Sequence, residues 1–205
     1  MIDEFDLDDA VEYFVRKRME GIFCPPDWID VISLDQAYRV LLTLLDRHLA
    51  TGNGQIGWKV GLTARPIQEQ FRTHEPCFGY LAGDALNATG VKLDFDKLIG
   101  PGFENELCLE LGRDLEGPTL GVDEVRAAIV SIRPAFEIIE TRGDVVGHLE
   151  ANIPDNAQQK CIVVGAPVPF TNSTNLATVR VKVSINGQTV DNAPGANVLG
   201  DPINS

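Results

Sequence analysis

The chain has 205 residues, 44% of them hydrophobic, enough for one domain with a sizeable core and too many for a disordered chain. Lys and Arg number 17 against 30 Asp and Glu, a formal net charge of −13, which disfavours nucleic acid and anionic membranes as partners. The opening MIDEFDLDDA lacks the basic region and apolar run of a secretory signal, and no stretch reaches the ~20 apolar residues that span a bilayer. Cys24, Cys77, Cys108 and Cys161 are scattered without a CxxC pair. Reduced thiols in a cytoplasmic protein suit that pattern better than a disulfide framework or a zinc site.

In chain order, residues 5–20 and 34–50 read as helices. In the second, Leu34, Ala37, Tyr38, Leu41, Leu42, Leu45 and Leu49 recur at helical spacing, and Ser33 is placed to cap it. The loop GIFCPPDW joins them. After Gly52 and Gly54 the texture changes to short Val-, Ile- and Phe-rich runs separated by Gly, Pro and Asn. Strands are expected near 55–60, 78–82, 103–111, 131–140 and 161–165, with helices at about 64–72 and 122–130. RVKVSINGQTV at 180–190 predicts a hairpin over 178–192, turning at Asn186-Gly187. Val179, Val181, Val183 and Ile185 share one face of it. Too few helices alternate with the strands for a doubly wound sheet. The expected class is α+β, with a helical N-terminal part at 1–52 and a β-rich catalytic part at 53–205.

FENELCLEL, residues 103–111, is the most informative run. In a strand, Glu104, Glu106, Cys108 and Glu110 lie on one face. Glu104 and Glu106 are then ~7 Å apart along the strand. Such charges repel unless a cation, a proton or water intervenes, although an amphipathic strand with a solvated acidic face has the same pattern. Glu137 stands within SIRPAFEIIE, between Phe136 and Ile138, where burying a carboxylate without a partner is costly. Arg133 or Arg142 could pair with it. A cation shared by Glu104, Glu106 and Glu137 would satisfy both runs at once, and an all-oxygen shell favours Mg²⁺ or Mn²⁺ over zinc. In GWKVGLT, Gly57 and Gly61 bracket Lys59 and allow close approach of a ligand or backbone. Lys59 reads either as a binder of substrate carboxylate or mover of protons, or as an edge-strand charge.

GWKVGLT, EPCFGYL, FENELCLELGRDLEGP, RPAFEIIETR and PDNAQQK follow one another in an order that resembles the 2-keto-4-pentenoate hydratases and 4-oxalocrotonate decarboxylases. These form a branch of the fumarylacetoacetate hydrolase superfamily, and the resemblance runs from about residue 35 to the end. It implies mixed sheets in a roll, Mg²⁺ or Mn²⁺ as cofactor, a small 2-oxo acid substrate from aromatic-compound catabolism, and a homo-oligomer. By motif, Glu104, Glu106 and Glu137 would be metal ligands and Lys59 the catalytic lysine. Hydration of 2-hydroxypenta-2,4-dienoate and decarboxylation of 4-oxalocrotonate stay equally open.

Two positions depart from the family pattern: Cys77 stands where many relatives have Asp, and Gln158 where they have Ser. The resemblance places both facing the substrate. It also implies a member truncated at its C-terminus, because relatives continue past GANVLGDPINS with a helix and strands. Residues 193–205 are accordingly expected to be irregular, with an apolar strip or strand edge left exposed. Two further readings stand beside the lyase. One is an acylpyruvate-type hydrolase drawing its base from His48, His74 or His148. The other is a catalytically silent subunit that assembles with a complete paralogue.

Overall fold

The computed structural model describes residues 5–144 and 146–205. Helix α1 (Leu7–Met19) starts at Asp6, whose carboxylate accepts from the Asp8 and Asp9 N–H groups. Helix α2 (Leu34–Ala50) opens with a full capping box, Ser33 and Gln36 each accepting the other's backbone N–H. Such caps are worth about 1 kcal/mol. Along α2, Ala37, Val40, Leu41, Leu44 and Leu45 are buried at the spacing of one helical face.

The strands follow: β1 (Gln55–Gly61), helix α3 (Arg65–Gln70), β2 (Cys77–Ala82), β3 (Leu86–Ala88) and the long β4 (Pro101–Leu111). Helix α4 (Val122–Ala128) then leads into β5 (Ile129–Glu140). The strand therefore begins two residues before the predicted 131, where Ile129 leaves the helix and turns into the core. The short helix α5 (Leu149–Asn152), β6 (Gln159–Val164), β7 (Val168–Pro169), β8 (Arg180–Ile185) and β9 (Gln188–Pro194) complete the order. Among the described residues, no helix is long and apolar enough to cross a membrane.

The strands form three sheets. β1 and β2 make an antiparallel pair, and β8 and β9 another. The central sheet runs β3-β6-β5-β4 with β7 also on β5, and only β3–β6 is parallel. This is the expected α+β class with mixed sheets. Asn186 and Gly187 both have positive φ, 51° and 81°, as a type I′ turn requires.

Two apolar clusters hold these parts together. The larger joins Val11 and Phe14 of α1, Val40 and Leu41 of α2, Cys77 of β2, and Leu149 and Ile153 near α5. The helical part thus shares its core with β2, the partner of the strand that carries Lys59. The smaller joins Ile129, Leu176 and Ile203.

Residues 195–205 are irregular as expected, but that second cluster corrects the expectation that this end leaves its apolar residues uncovered. Ala193 and Pro194 belong to β9, and two short 3-10 turns follow it. Pro202 and Ile203 are buried because Ile203 closes an apolar pocket over Leu176 and Ile129. An unpaired edge is nevertheless present: β4 ends its sheet, and Phe103 with Phe136 stacks edge-to-face on the exposed side at 5.3 Å.

Candidate metal centre and its lysine

The β4–β5 register builds the carboxylate cluster. Glu104 lies directly across from Glu137, and Glu106 across from the small Ala135. Alternation puts Glu104 and Glu106 on the same face, while Phe103 and Phe136 turn to the other. Each of Glu104, Glu106 and Glu137 offers a carboxylate oxygen within 4.8 Å of the others'. Opposite ligands of a hard cation at about 2.1 Å per bond are ~4.2 Å apart, so small side-chain adjustments close such a set.

The electrostatics favour a cation there. Glu137 is 2% exposed, and burial raises its carboxyl pKa, with Lys59 opposing the rise and Glu104 adding to it. Glu106 is pushed from 4.5 to about 8, chiefly by burial and then by Glu137 and Glu104. Directly opposed like charges on a sheet are otherwise destabilising. Neither arginine weighed for Glu137 pairs with it: Arg133 goes to Glu110, and Arg142 to Glu140 and Asp155.

Lys59 is the partner that Glu137 has. Its Nζ lies 3.1 Å from Glu137 Oε1, an ion-pair distance without hydrogen-bond geometry, so that buried oxygen has no hydrogen-bond donor. A buried oxygen in this state, within a set of hard oxygen donors, fits a divalent cation. Lys59 reaches it from β1 because glycines surround it on its face of the β1–β2 pair. Gly57 and Gly61 flank it, and Gly79 stands directly across. A Cβ on Gly79 would lie 2.9 Å from Lys59 Cε and 2.5 Å from Asn156 Oδ1.

Lys59 also donates to the Ala157 carbonyl at 3.2 Å. This carbonyl sits in a turn that the sequence reading missed. Asn156, Ala157 and Gln158 have φ of 55°, 47° and 65°, three successive left-handed residues without a glycine. Each costs roughly 1–2 kcal/mol and persists only where the surroundings enforce it. The Asn156 side chain helps: its Oδ1 accepts from the Tyr80 N–H at 2.9 Å, and its Nδ2 donates to the Tyr80 carbonyl at 3.0 Å. Asp-Asn within PDNAQQK tolerates such a conformation and was the available signal, whereas Ala157 and Gln158 carry none.

Cys77, across from Gly61, is buried, and so is Gln158. All four cysteines are free thiols. Among the described residues no histidine joins the carboxylate cluster. His74 is exposed, His48 lies 3.7 Å from Asp84, and His148 lies 3.9 Å from Glu150.

No protein-family model matches the sequence. The chain is 34% identical over 175 residues to a 2-hydroxypent-2,4-dienoate hydratase of Pseudomonas putida, spanning 84% of this chain and 79% of that one. It is 32% identical over 176 residues to a 4-oxalocrotonate decarboxylase of a Pseudomonas species, spanning 85% and 67%. Among solved structures, the 4-oxalocrotonate decarboxylase of Pseudomonas putida G7, complexed with magnesium and adipate, superposes with a TM-score of 0.82. That match has 27% identity and covers 96% of this chain and 76% of that one. A fumarylpyruvate hydrolase of Pseudomonas aeruginosa, complexed with Mn²⁺ and pyruvate, shares the fold at a TM-score of 0.55 and 12% identity, covering 71% of this chain and 66% of that one.

These superpositions define an α+β fold of the fumarylacetoacetate hydrolase type. Within it, the chain belongs to the family of 2-hydroxypentadienoate hydratases and 4-oxalocrotonate decarboxylases. That family is one of hydro-lyases and carboxy-lyases.

Proposed function

We propose that this protein is a Mg²⁺- or Mn²⁺-dependent lyase acting on a small unsaturated 2-oxo acid in aromatic-compound catabolism. Its reaction is hydration of 2-hydroxypenta-2,4-dienoate to 4-hydroxy-2-oxopentanoate, or decarboxylation of 4-oxalocrotonate. The observation that carries this reading is the meeting of Glu104, Glu106 and Glu137 beside the Lys59 ammonium.

Glu104, Glu106 and Glu137 would hold the cation, which would supply Lewis-acid chemistry to the 2-oxo acid substrate. Lys59 has three donor directions. The Ala157 carbonyl takes up one and the Glu137 carboxylate stands close by as an ion-pair partner, which leaves donor capacity for a substrate carboxylate or for moving a proton. The magnesium- and adipate-bound decarboxylase supports both the metal and a carboxylate ligand. A homo-oligomeric, cytoplasmic enzyme, with a helical part at 1–52 and a catalytic part at 53–205, belongs to the same proposal.

An ultraviolet assay on 2-hydroxypenta-2,4-dienoate and 2-oxohex-3-enedioate, with and without Mg²⁺, tests it. Metal-dependent loss of the diene absorbance identifies a hydratase, and release of CO₂ a decarboxylase. Turnover of neither, or turnover indifferent to chelation, rejects the reading.

A further inference from the structure

Beneath the strained turn lies a group of buried charges that the metal cluster does not use. Asp155 is 2% exposed and pairs with Arg142 Nε at 2.7 Å and Arg18 at 3.4 Å. Arg142 also holds Glu140 at 2.7 Å, and the second oxygen of that buried carboxylate accepts from the Ile99 N–H at 3.0 Å. Removing so many charges from water is costly and rarely adds stability beyond what packed apolar groups would give. What such a network can supply is a fixed geometry.

The geometry concerns the three left-handed residues. Arg142 donates to the Asp155 carbonyl at 3.2 Å and to the Gln159 carbonyl at 3.3 Å, spanning Asn156, Ala157 and Gln158 from both sides. Arg18 of α1 donates to the Pro154 carbonyl at 2.7 Å, fixing the approach to the turn. Phe23 covers the buried guanidinium of Arg142 at 5.0 Å. Among the described residues, the group of the turn to which Lys59 donates is the Ala157 carbonyl.

We propose that Arg142 and Asp155 are positioning residues: they hold the strained turn so that its carbonyl aims the Lys59 ammonium. This rests on Lys59 serving the lyase reaction as proposed above. Arg18 makes α1 part of the device, beside the helical core against which Ala157 packs. A lysine at position 142 keeps the charge but cannot bridge two carbonyls while gripping two carboxylates. An asparagine at 155 keeps the shape and removes the charge.

The test is a double-mutant cycle of Arg142→Lys with Lys59→Ala, with Asp155→Asn as the second route should Arg142→Lys fold poorly. Arg142→Lys is expected to lower kcat about 30-fold or more, since small misplacements near the chemistry cost that much. KM and the Mn²⁺ affinity, read by electron paramagnetic resonance, should stay within about threefold. In the Lys59→Ala background the same change should cost under about threefold, because coupled residues are not additive. In ¹⁵N-lysine-labelled protein without metal, the Lys59 Nζ resonance, assigned by its loss in Lys59→Ala, should move in Arg142→Lys.

Independent, multiplying losses would overturn the positioning role. So would an unmoved Nζ resonance, or a fall in Mn²⁺ affinity parallel to kcat, which marks a general structural support. If Lys59→Ala keeps wild-type turnover, the role of Lys59 fails and the positioning role with it. If the wild type turns over neither acid, only the substrate reading falls, and the Nζ resonance still decides this one.

Discussion

Glu106 carries the sharpest pH signature of the site. Its pKa of about 8 in the folded, metal-free protein lies above the ordinary 4.5 of the unfolded chain. The folded state therefore keeps a proton that the unfolded state loses, and stability from this group is full below pH 4.5 and lost as pH rises through 8. Glu106→Gln removes the titration. At pH 4 its metal-free melting temperature should lie close to the wild type's, because Glu106 is mostly protonated there in both the folded and the unfolded chain. At pH 9 it should lie above it, and parallel melting curves against pH would refute the assignment. The same variant should lose Mn²⁺ affinity by at least about 100-fold, more than a supporting partner's 10–100-fold. Lys59→Ala, in contrast, should cut turnover by about 10²–10⁴-fold, as proton-moving groups do, with Mn²⁺ affinity nearly intact. Equal loss of metal affinity would make Lys59 a counter-charge to the cluster instead.

At the scale of elements, the β1–β2 pair must stay bare where it meets the turn. Gly79→Ala forces its Cβ to 2.5 Å from Asn156 Oδ1, and overpacking of this kind costs about 1–3 kcal/mol. Its melting temperature and turnover should both drop, whereas Gly121→Ala, with open space around it, should change neither. The elements themselves were largely legible. The apolar spacing of residues 34–50, Ser33 before them and Asn186-Gly187 placed α2 and the last hairpin. Glu104, Glu106 and Glu137 could be singled out because carboxylates in strand runs violate the apolar rule in a way that a shared cation resolves. The turn at 156–158 could not, since its strain is imposed by Arg142, Arg18 and Tyr80, which lie elsewhere in sequence. The sequence offers Arg142 only as a candidate partner for Glu137. The pairing of Lys59 with Glu137 needs two separate sheets to bring these side chains together, a long-range fact that no local pattern contains.

For the molecule as a whole, one face of the β4–β5 sheet carries Glu104, Glu106 and Glu137 while the other shows Phe103 and Phe136 to solvent. With β4 at the edge, a homo-oligomer has an apolar place to form. Phe103→Ser with Phe136→Ser should lower the sedimenting mass and leave Mn²⁺ affinity unchanged, since the two faces of a strand are independent. An unchanged mass would move the interface elsewhere. The central claim is that one divalent cation is held between β4 and β5 beside Lys59. Anomalous diffraction from a Mn²⁺-soaked crystal measures this directly. The account predicts a single strong peak within about 2.4 Å of oxygens from Glu104, Glu106 and Glu137. A peak held by other side chains, or none at millimolar Mn²⁺, would contradict it.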